Sequence, residues 1–224
     1  MIADLTRPSR TASKPVGVLL ADDHPALRAG LRSLISEEAG LAVTGEVASG
    51  EEACIEYRSG HHDVVVIDLS MTGFGGMEAI RRIMQFDAQA SILVYSVHAT
   101  EVMLSRALTL GALGYVTKAS STDVLIAGIR EVAARRGYVS PDLVPAMVRH
   151  HATPGRSLLE RLSAREFQIL LLTAQGNRAE ACARTLNLSD KTVRNHLTGI
   201  KVKLGVTDTA ELVRLAIRLG LADA

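Results

Sequence analysis

The first 138 residues alternate between short apolar runs and segments with helical spacing. In the first such segment, Leu27, Leu31 and Ile35 recur on one face after Pro25. The apolar runs are Val16–Leu20, Leu41–Val47, Val64–Ile67, Ser91–Val97 and Gly114–Thr117. The run Val64–Ile67 has four branched residues in succession, which is typical of a strand buried on both faces. The alternation predicts an α/β fold, a five-stranded parallel (βα)5 sheet of the flavodoxin-like kind with helices on both faces.

The pattern breaks after Tyr138, where prolines and a glycine interrupt it. Beyond this break the apolar residues follow helical spacing alone, which predicts an all-α domain of four helices. We therefore divide the chain into a flexible N-terminal arm (1–15), an α/β domain (16–138), a linker (139–157) and a helical domain (158–224). A short helical piece is expected in the linker near Val144–Val148.

Composition favours a soluble cytoplasmic protein. Of the 224 residues, 47% are apolar and 22% are charged, and no apolar run is long enough to span a bilayer. Cys54 and Cys182 lack further ligands at metal spacing, so neither disulfides nor a zinc site is expected. Residues 1–155 carry 14 Lys/Arg and 17 Asp/Glu, whereas residues 156–224 carry 11 and 7. The basic second half points to an anionic partner such as nucleic acid.

Polar side chains follow four of the predicted strands. The first strand leads into Asp22 and Asp23, the third into Asp68, the fourth into Ser96 and the fifth into Lys118. Parallel strands bring their carboxyl ends to one edge of the sheet. Three carboxylates there would repel one another unless a cation joined them, and Mg²⁺ suits oxygen ligands with room left for phosphate. The sequence thus predicts a Mg²⁺-assisted phosphoryl-binding site.

These residues resemble the receiver domain of two-component response regulators. Four segments carry the resemblance: Ala21–Pro25 (ADDHP), Val66–Gly73 (VIDLSMTG), Tyr95–His98 (YSVH) and Gly114–Lys118 (GYVTK). The resemblance implies that Asp68 accepts a phosphoryl group from a sensor histidine kinase. It also implies that Asp23, Asp68 and the backbone carbonyl of Ser70 bind Mg²⁺, with Asp22 helping through water.

The resemblance also assigns the residues that respond to phosphorylation. It implies that Ser96 and Lys118 contact phosphoryl oxygens and that Tyr115 is the switch aromatic, which turns inward when Ser96 is recruited. Two residues depart from the family's usual pattern. Thr72 stands where proline is usual, and Gly75 where an acidic or polar residue is common. Both departures predict a looser turn after Asp68.

The helical half contains the pattern of a helix-turn-helix. Ser163 and Glu166 form a capping box, and Ser189 caps a helix expected over Asp190–Leu204. One face of that helix is apolar, whereas the other carries Lys, Arg, Asn and Thr. A polar stripe alone is usually a solvated surface, but the preceding helix and tight turn favour a recognition helix.

This half resembles the LuxR-type DNA-binding domain. The segments that carry the resemblance are Leu162–Leu170, Leu188–Leu197 and Lys203–Val206. It implies base contacts by Arg194, Asn195 and Thr198, and backbone contacts by Lys191, Thr192, His196 and Lys201. It also implies a dimer contact on DNA through the helix Asp208–Leu219. Glu180 departs from the family, because it places an acid where a lysine often nears phosphate.

Together the halves resemble a response regulator of the NarL/FixJ type, which is not an enzyme. Phosphorylation of Asp68 is then expected to promote a homodimer that binds double-stranded DNA, without a role at the membrane. The nearest alternative is a phosphorylation-independent regulator that uses the receiver only for dimerisation. An aspartyl-nucleophile phosphatase is a further alternative, but Ser70 holds the place of its second acid. A nucleotide binder would need a glycine-rich loop after the first strand, which this sequence lacks.

Overall fold

A computed structural model describes residues 14–145 and 156–222 of the chain. Its first part is a parallel sheet with strand order β2-β1-β3-β4-β5-β6. The strands are β1 (Val16–Ala21), β2 (Leu41–Val47), β3 (Val64–Ile67), β4 (Ile92–Ser96), β5 (Gly114–Thr117) and β6 (Tyr138–Val139). The intervening helices are α1 (Pro25–Glu37), α2 (Gly50–Ser59), α3 (Gly75–Phe86), α4 (Glu101–Thr109) and α5 (Thr122–Ala133). The α/β class is confirmed.

The predicted count of five strands is wrong, because β6 adds a sixth at the sheet edge. Tyr138 and Val139 pair in parallel with Gly114 and Tyr115 of β5. Two residues are too few to show a period in sequence, so long-range pairing alone reveals this strand. A turn of 3₁₀ helix (Pro141–Leu143) follows, with its last residue buried. The packed α/β structure therefore extends into the segment that the sequence assigned to the linker; residues 146–155 of that segment, and most of the expected piece Val144–Val148, lie outside the described residues.

Different helices cover the two faces of the sheet. On one face, Leu20 clusters with Ile35 of α1 and Ile129 of α5. On the other, Ile67 clusters with Ile80 of α3. Both faces of the central strands are thus buried, which explains the uninterrupted apolar run in β3. Only the strand ends are left for polar side chains.

The second part of the chain is helical. Described residues 156–222 contain a short helix α6 (Arg156–Glu160), then α7 (Ala164–Ala174), α8 (Ala179–Thr185), α9 (Asp190–Leu204) and α10 (Thr209–Arg218). The short α6 precedes the four expected helices. The capping box at α7 is present, because the Ser163 hydroxyl accepts from the Glu166 amide at 3.2 Å and the Glu166 carboxylate accepts from the Ser163 amide at 2.7 Å.

Helices α8 and α9 form a tight helix-turn-helix. Asn187 adopts a left-handed backbone between them (φ 52°), and Ser189 caps α9 by accepting from the Thr192 amide at 3.1 Å. The apolar stripe of α9 is buried, with Val193 and Ile200 fully enclosed. The predicted span Asp190–Leu204 is confirmed. Packing of this stripe leaves the opposite face of α9 toward the outside.

Candidate functional site

The ends of β1, β3 and β5 bring two carboxylates and one ammonium group together. The Nζ of Lys118 donates to Asp22 Oδ2 at 2.7 Å and to Asp68 Oδ2 at 2.8 Å. Both aspartates are almost fully buried. Burial acts to lower the pKa of Lys118, but the hydrogen bonds to the two carboxylates outweigh it and hold that pKa above its usual value. Lys118 is therefore a permanent cation beside Asp68.

Asp23 adds a third carboxylate to this edge. Its Oδ2 accepts from the Thr72 amide at 3.0 Å, whereas its Oδ1 is buried without a hydrogen bond. His24 Nδ1 lies 3.0 Å from that oxygen but is not aligned to donate to it. Ligand atoms of Asp22, Asp23, His24 and Asp68 all lie within 4.8 Å of one another. The donor set is dominated by carboxylate oxygen, which fits a hard divalent cation such as Mg²⁺.

Ser70 and Ser96 lie near the same edge. The Ser70 amide donates to Asp68 Oδ1 at 3.2 Å, which fixes the start of the turn. Whether the Ser70 carbonyl serves as a ligand stays a prediction. Ser96 is fully buried at the end of β4, and its hydroxyl accepts from the His98 amide at 3.4 Å. Ser70 thus lies in the turn after Asp68, whereas Ser96 ends the neighbouring strand β4.

Tyr115 is fully buried and points inward. Its hydroxyl donates to the backbone carbonyl of His98 at 2.6 Å. Burial raises the pKa of Tyr115, so the side chain stays a neutral donor. The resemblance assigns this inward orientation of Tyr115 to the state in which Ser96 is recruited. His98 itself also joins the two loops, because its Nε2 lies 3.2 Å from Ser70 Oγ.

The turn after Asp68 contacts the helical domain directly. Arg165 of α7 donates through Nη1 to the Gly73 carbonyl at 2.7 Å and through Nη2 to the Leu186 carbonyl at 2.9 Å. The Gly73 amide donates to the Thr185 carbonyl at 3.3 Å. One guanidinium therefore joins the turn of the α/β domain to the end of α8.

Gly75 allows this contact to be close. Its backbone is left-handed (φ +66°), and a Cβ added there would lie 2.4 Å from Gln168 Nε2. A side chain at this position would displace the Gln168 amide and would strain the left-handed backbone. The departure at Gly75 noted in the sequence thus matches a contact between the two domains.

Arg106 of α4 makes a second contact between the domains. Its guanidinium donates to the carbonyls of Leu159 at 2.8 Å and Leu162 at 2.6 Å. It also stacks on Phe167, with 4.2 Å from Cζ to the ring centroid. Burial lowers the pKa of Arg106 to about 10, so it stays charged at neutral pH. The apolar cluster beneath the sheet continues into α7 through Phe167.

The predicted DNA-contacting residues lie along one side of α9. The exposed ones are Lys191, Arg194, Asn195 and Thr198; Thr192, His196 and Lys201 are half-buried. The Thr192 hydroxyl is 2.8 Å from the Ser189 hydroxyl and belongs to the helix cap. The remaining side chains form a polar stripe that a nucleic acid can reach.

Arg194 is held by two carboxylates. Its Nη2 donates to Glu180 Oε1 of α8 at 2.5 Å, and its Nε donates to Asp190 Oδ2 at 2.7 Å. All three side chains are substantially exposed. The acid at position 180 thus takes part in an ion pair that joins the two helices of the motif.

Sequence reasoning missed three residues that the structure brings to prominence: His98, Arg106 and Arg165. Their partners are backbone carbonyls or loop hydroxyls far away in the chain, so no local pattern marks them. His98 stands in the motif YSVH and Arg165 in the segment Leu162–Leu170, but neither motif indicates these contacts. None of the described helices is long and apolar enough to cross a membrane.

Comparison with known proteins gives matches for both halves. A model of the response regulator receiver domain matches residues 18–130, and a model of bacterial regulatory proteins of the luxR family matches residues 160–216. The response regulator UvrY of Escherichia coli is 35% identical over 211 residues, covering 93% of this chain and 97% of UvrY. The response regulator GacA of Pseudomonas aeruginosa is 33% identical, covering 93% and 99%.

Solved structures agree with these relatives. A LuxR-family two-component response regulator from Aurantimonas covers 62% of this chain and 99% of that chain, at 38% identity and a TM-score of 0.60. RcsB of Salmonella enterica, bound to a promoter with a phosphomimetic, covers 93% and 99%, at 25% identity and a TM-score of 0.64. The chain therefore belongs to the LuxR family of two-component response regulators, DNA-binding transcription regulators with an N-terminal receiver domain.

Proposed function

We propose that Asp68 accepts a phosphoryl group from a sensor histidine kinase and that this transfer controls DNA binding by α9. The observation that carries the proposal is the placement of Lys118 Nζ between Asp68 at 2.8 Å and Asp22 at 2.7 Å. A buried carboxylate beside a fixed cation is suited to receive an anionic phosphoryl group. The protein would act in the cytoplasm as a transcription regulator and not as an enzyme.

The transfer is an in-line displacement at phosphorus. An oxygen of Asp68 forms the new O–P bond while the N–P bond of the donor phosphohistidine breaks, and the imidazole leaves. Lys118 then pairs with one phosphoryl oxygen, and the Ser96 hydroxyl donates to another. Asp22, Asp23, Asp68 and the Ser70 carbonyl would hold Mg²⁺, which neutralises charge on the transferring oxygens when bound.

The turn after Asp68 connects this chemistry to the helical domain. Asp23 Oδ2 holds the Thr72 amide, and the next residue, Gly73, contacts both Arg165 and Thr185. A phosphoryl group on Asp68 would add bulk and negative charge where the Ser70 amide now donates to Asp68 Oδ1. A shift of the turn there would weaken the docking of α7, so phosphorylation releases or reorients the DNA-binding domain.

Docking restrains the recognition helix without covering it. Arg194, Asn195 and Thr198 are exposed while α7 contacts the receiver turn. Docking therefore limits the orientation that each DNA-binding domain can take. Release allows a homodimer to place two recognition helices in successive major grooves, with α10 at the dimer contact. RcsB, a similar protein, has been described as dimers bound to DNA.

Phosphoryl acceptance is tested by labelling with radioactive acetyl phosphate and Mg²⁺. Wild type should be labelled, Asp68→Asn should not, and Asp123→Asn should match wild type, because Asp123 is exposed at the start of α5. Equal labelling of wild type and Asp68→Asn would exclude Asp68 as the acceptor. Genome-wide binding with phosphorylated and unphosphorylated protein then measures the consequence. Identical binding in the two states would favour a receiver that serves only for dimerisation.

A further inference from the structure

We infer that Glu180 is a positioning residue for DNA specificity, which holds Arg194 for a guanine base and keeps it from the phosphates. This inference rests on the proposed role of Arg194 as a base-contacting residue. Arg194 Nη2 on the recognition helix α9 donates to Glu180 Oε1 on α8 at 2.5 Å.

The two carboxylates around Arg194 define which of its donors are free. Of five guanidinium N–H groups, the Nε–H goes to Asp190 and one Nη2–H goes to Glu180. Three N–H groups remain, on Nη1 and Nη2. This end of the fork can still donate side by side to O6 and N7 of guanine. Glu180 and Asp190 therefore leave free the donors that base reading requires.

The net charge of these three side chains distinguishes the arrangement from an ordinary surface ion pair, which is neutral. Glu180, Asp190 and Arg194 together carry a net charge of −1, beside the cationic side chains of Lys191 and Lys201. A DNA phosphate near this trio meets two carboxylates that already neutralise the arginine. Arg194 thus adds little to sequence-independent binding, which depends on phosphate neutralisation.

Orientation contributes as well. An arginine side chain loses considerable rotamer freedom when it becomes fixed on a base. Arg194 has lost part of that freedom before DNA arrives, because carboxylates from two helices hold its Nε and Nη2. Exposed ion pairs contribute little to folding stability, so this pair can be altered without unfolding the domain.

The test uses full-length protein treated with acetyl phosphate and Mg²⁺. Random-sequence duplex DNA measures phosphate-driven binding as a function of salt, and selection from a randomised duplex pool measures base preference. Glu180→Gln keeps the side-chain shape and removes the charge. We expect its salt slope on random duplex to steepen by about one, because the net charge of the trio rises from −1 to 0 and Arg194, paired with Asp190 alone, can donate its other N–H groups to phosphate. At one selected position, guanine preference should fall from about tenfold or more to a few-fold.

Two control variants separate this inference from the proposed function. Glu131→Gln, on α5 of the receiver, makes the same change in net charge and should match wild type in both measurements. Arg194→Ala should abolish the same guanine preference without steepening the slope.

If Glu180→Gln keeps the wild-type guanine preference while Arg194→Ala loses it, the positioning role is wrong and the base contact stands. If Arg194→Ala also keeps the preference, then the base contact is wrong, and the inference with it.

Discussion

Replacing Arg165 by alanine tests whether the turn after Asp68 couples phosphorylation to DNA binding. The variant removes the hydrogen bond from Nη1 to the Gly73 carbonyl, which joins the two domains, and the bond from Nη2 to the Leu186 carbonyl. Only the first bond contributes to the free energy of docking, because the second lies within the helical domain. A hydrogen bond from a charged donor contributes about 1.5–3 kcal/mol. Burial lowers the pKa of Arg165, so part of this gain is offset by desolvation.

A net loss of about 2 kcal/mol shifts the ratio of docked to released protein roughly 30-fold. Apparent affinity for DNA scales with the released fraction. We therefore expect unphosphorylated Arg165→Ala to bind a selected duplex up to about 30-fold more tightly than unphosphorylated wild type. After phosphorylation the two proteins should bind about equally, because wild type is then released as well.

Fluorescence anisotropy on a duplex selected from a random pool measures these affinities with and without acetyl phosphate. Arg161→Ala is the matched control, since this exposed arginine four residues earlier makes no side-chain hydrogen bond within the described structure. A thermal melt checks that the helical domain stays folded without the bond to Leu186. Arg161→Ala should bind as wild type does. If unphosphorylated Arg165→Ala also binds no more tightly than wild type, the turn does not restrain the DNA-binding domain.

Two further predictions concern the contacts of α7. Gly75→Ala strains a backbone at φ +66° and displaces the flexible Gln168 amide, whose Oε1 accepts from Arg165 Nη1 at 2.9 Å, so the receiver melting temperature should fall and basal DNA affinity should rise. Gly75→Ala/Gln168→Ala removes the clash but not the strain, so the lowered melting temperature should remain. Burial acts to raise the pKa of Glu166, but Lys203 and the Ser163 cap outweigh it and lower that pKa. The stability this carboxylate contributes is present above its unfolded-state pKa of about 4.3 and is lost as pH falls through the lower folded-state value. Glu166→Gln should therefore cost about 1–2 kcal/mol in urea unfolding at pH 7, with a smaller cost at pH 3; equal costs would contradict this.

Local patterns were sufficient to predict most of the fold. The order of apolar runs and helical segments predicted the sheet, and the polar residues after its strands predicted that Asp22, Asp68 and Lys118 meet. This works because parallel strands share one carboxyl edge, so topology converts sequence position into proximity. The recognition helix Asp190–Leu204 was predicted for a similar reason, since its cap and its apolar stripe are both local.

The contacts between domains could not be predicted in this way. Arg106 and Arg165 donate to backbone carbonyls 53 and 92 residues away in the chain, and any residue can present a carbonyl. Strand β6 is missing from the sequence prediction for a related reason, because two residues carry no period. Gly75 was visible as a departure, but its meaning depends on Gln168, which lies on the other domain.

The position of Tyr115 argues that the turn, and not this aromatic, transmits the signal. Tyr115 is already inward and bonded to the His98 carbonyl at 2.6 Å while Arg165 still holds the turn. An inward Tyr115 is therefore compatible with a docked DNA-binding domain. Tyr115→Phe keeps the ring and removes this bond, which should cost about 1–3 kcal/mol in receiver stability. If the turn transmits the signal, the variant keeps the wild-type ratio between phosphorylated and unphosphorylated DNA affinity. Loss of that ratio in Tyr115→Phe, together with its retention in Arg165→Ala, would assign transmission to Tyr115 instead.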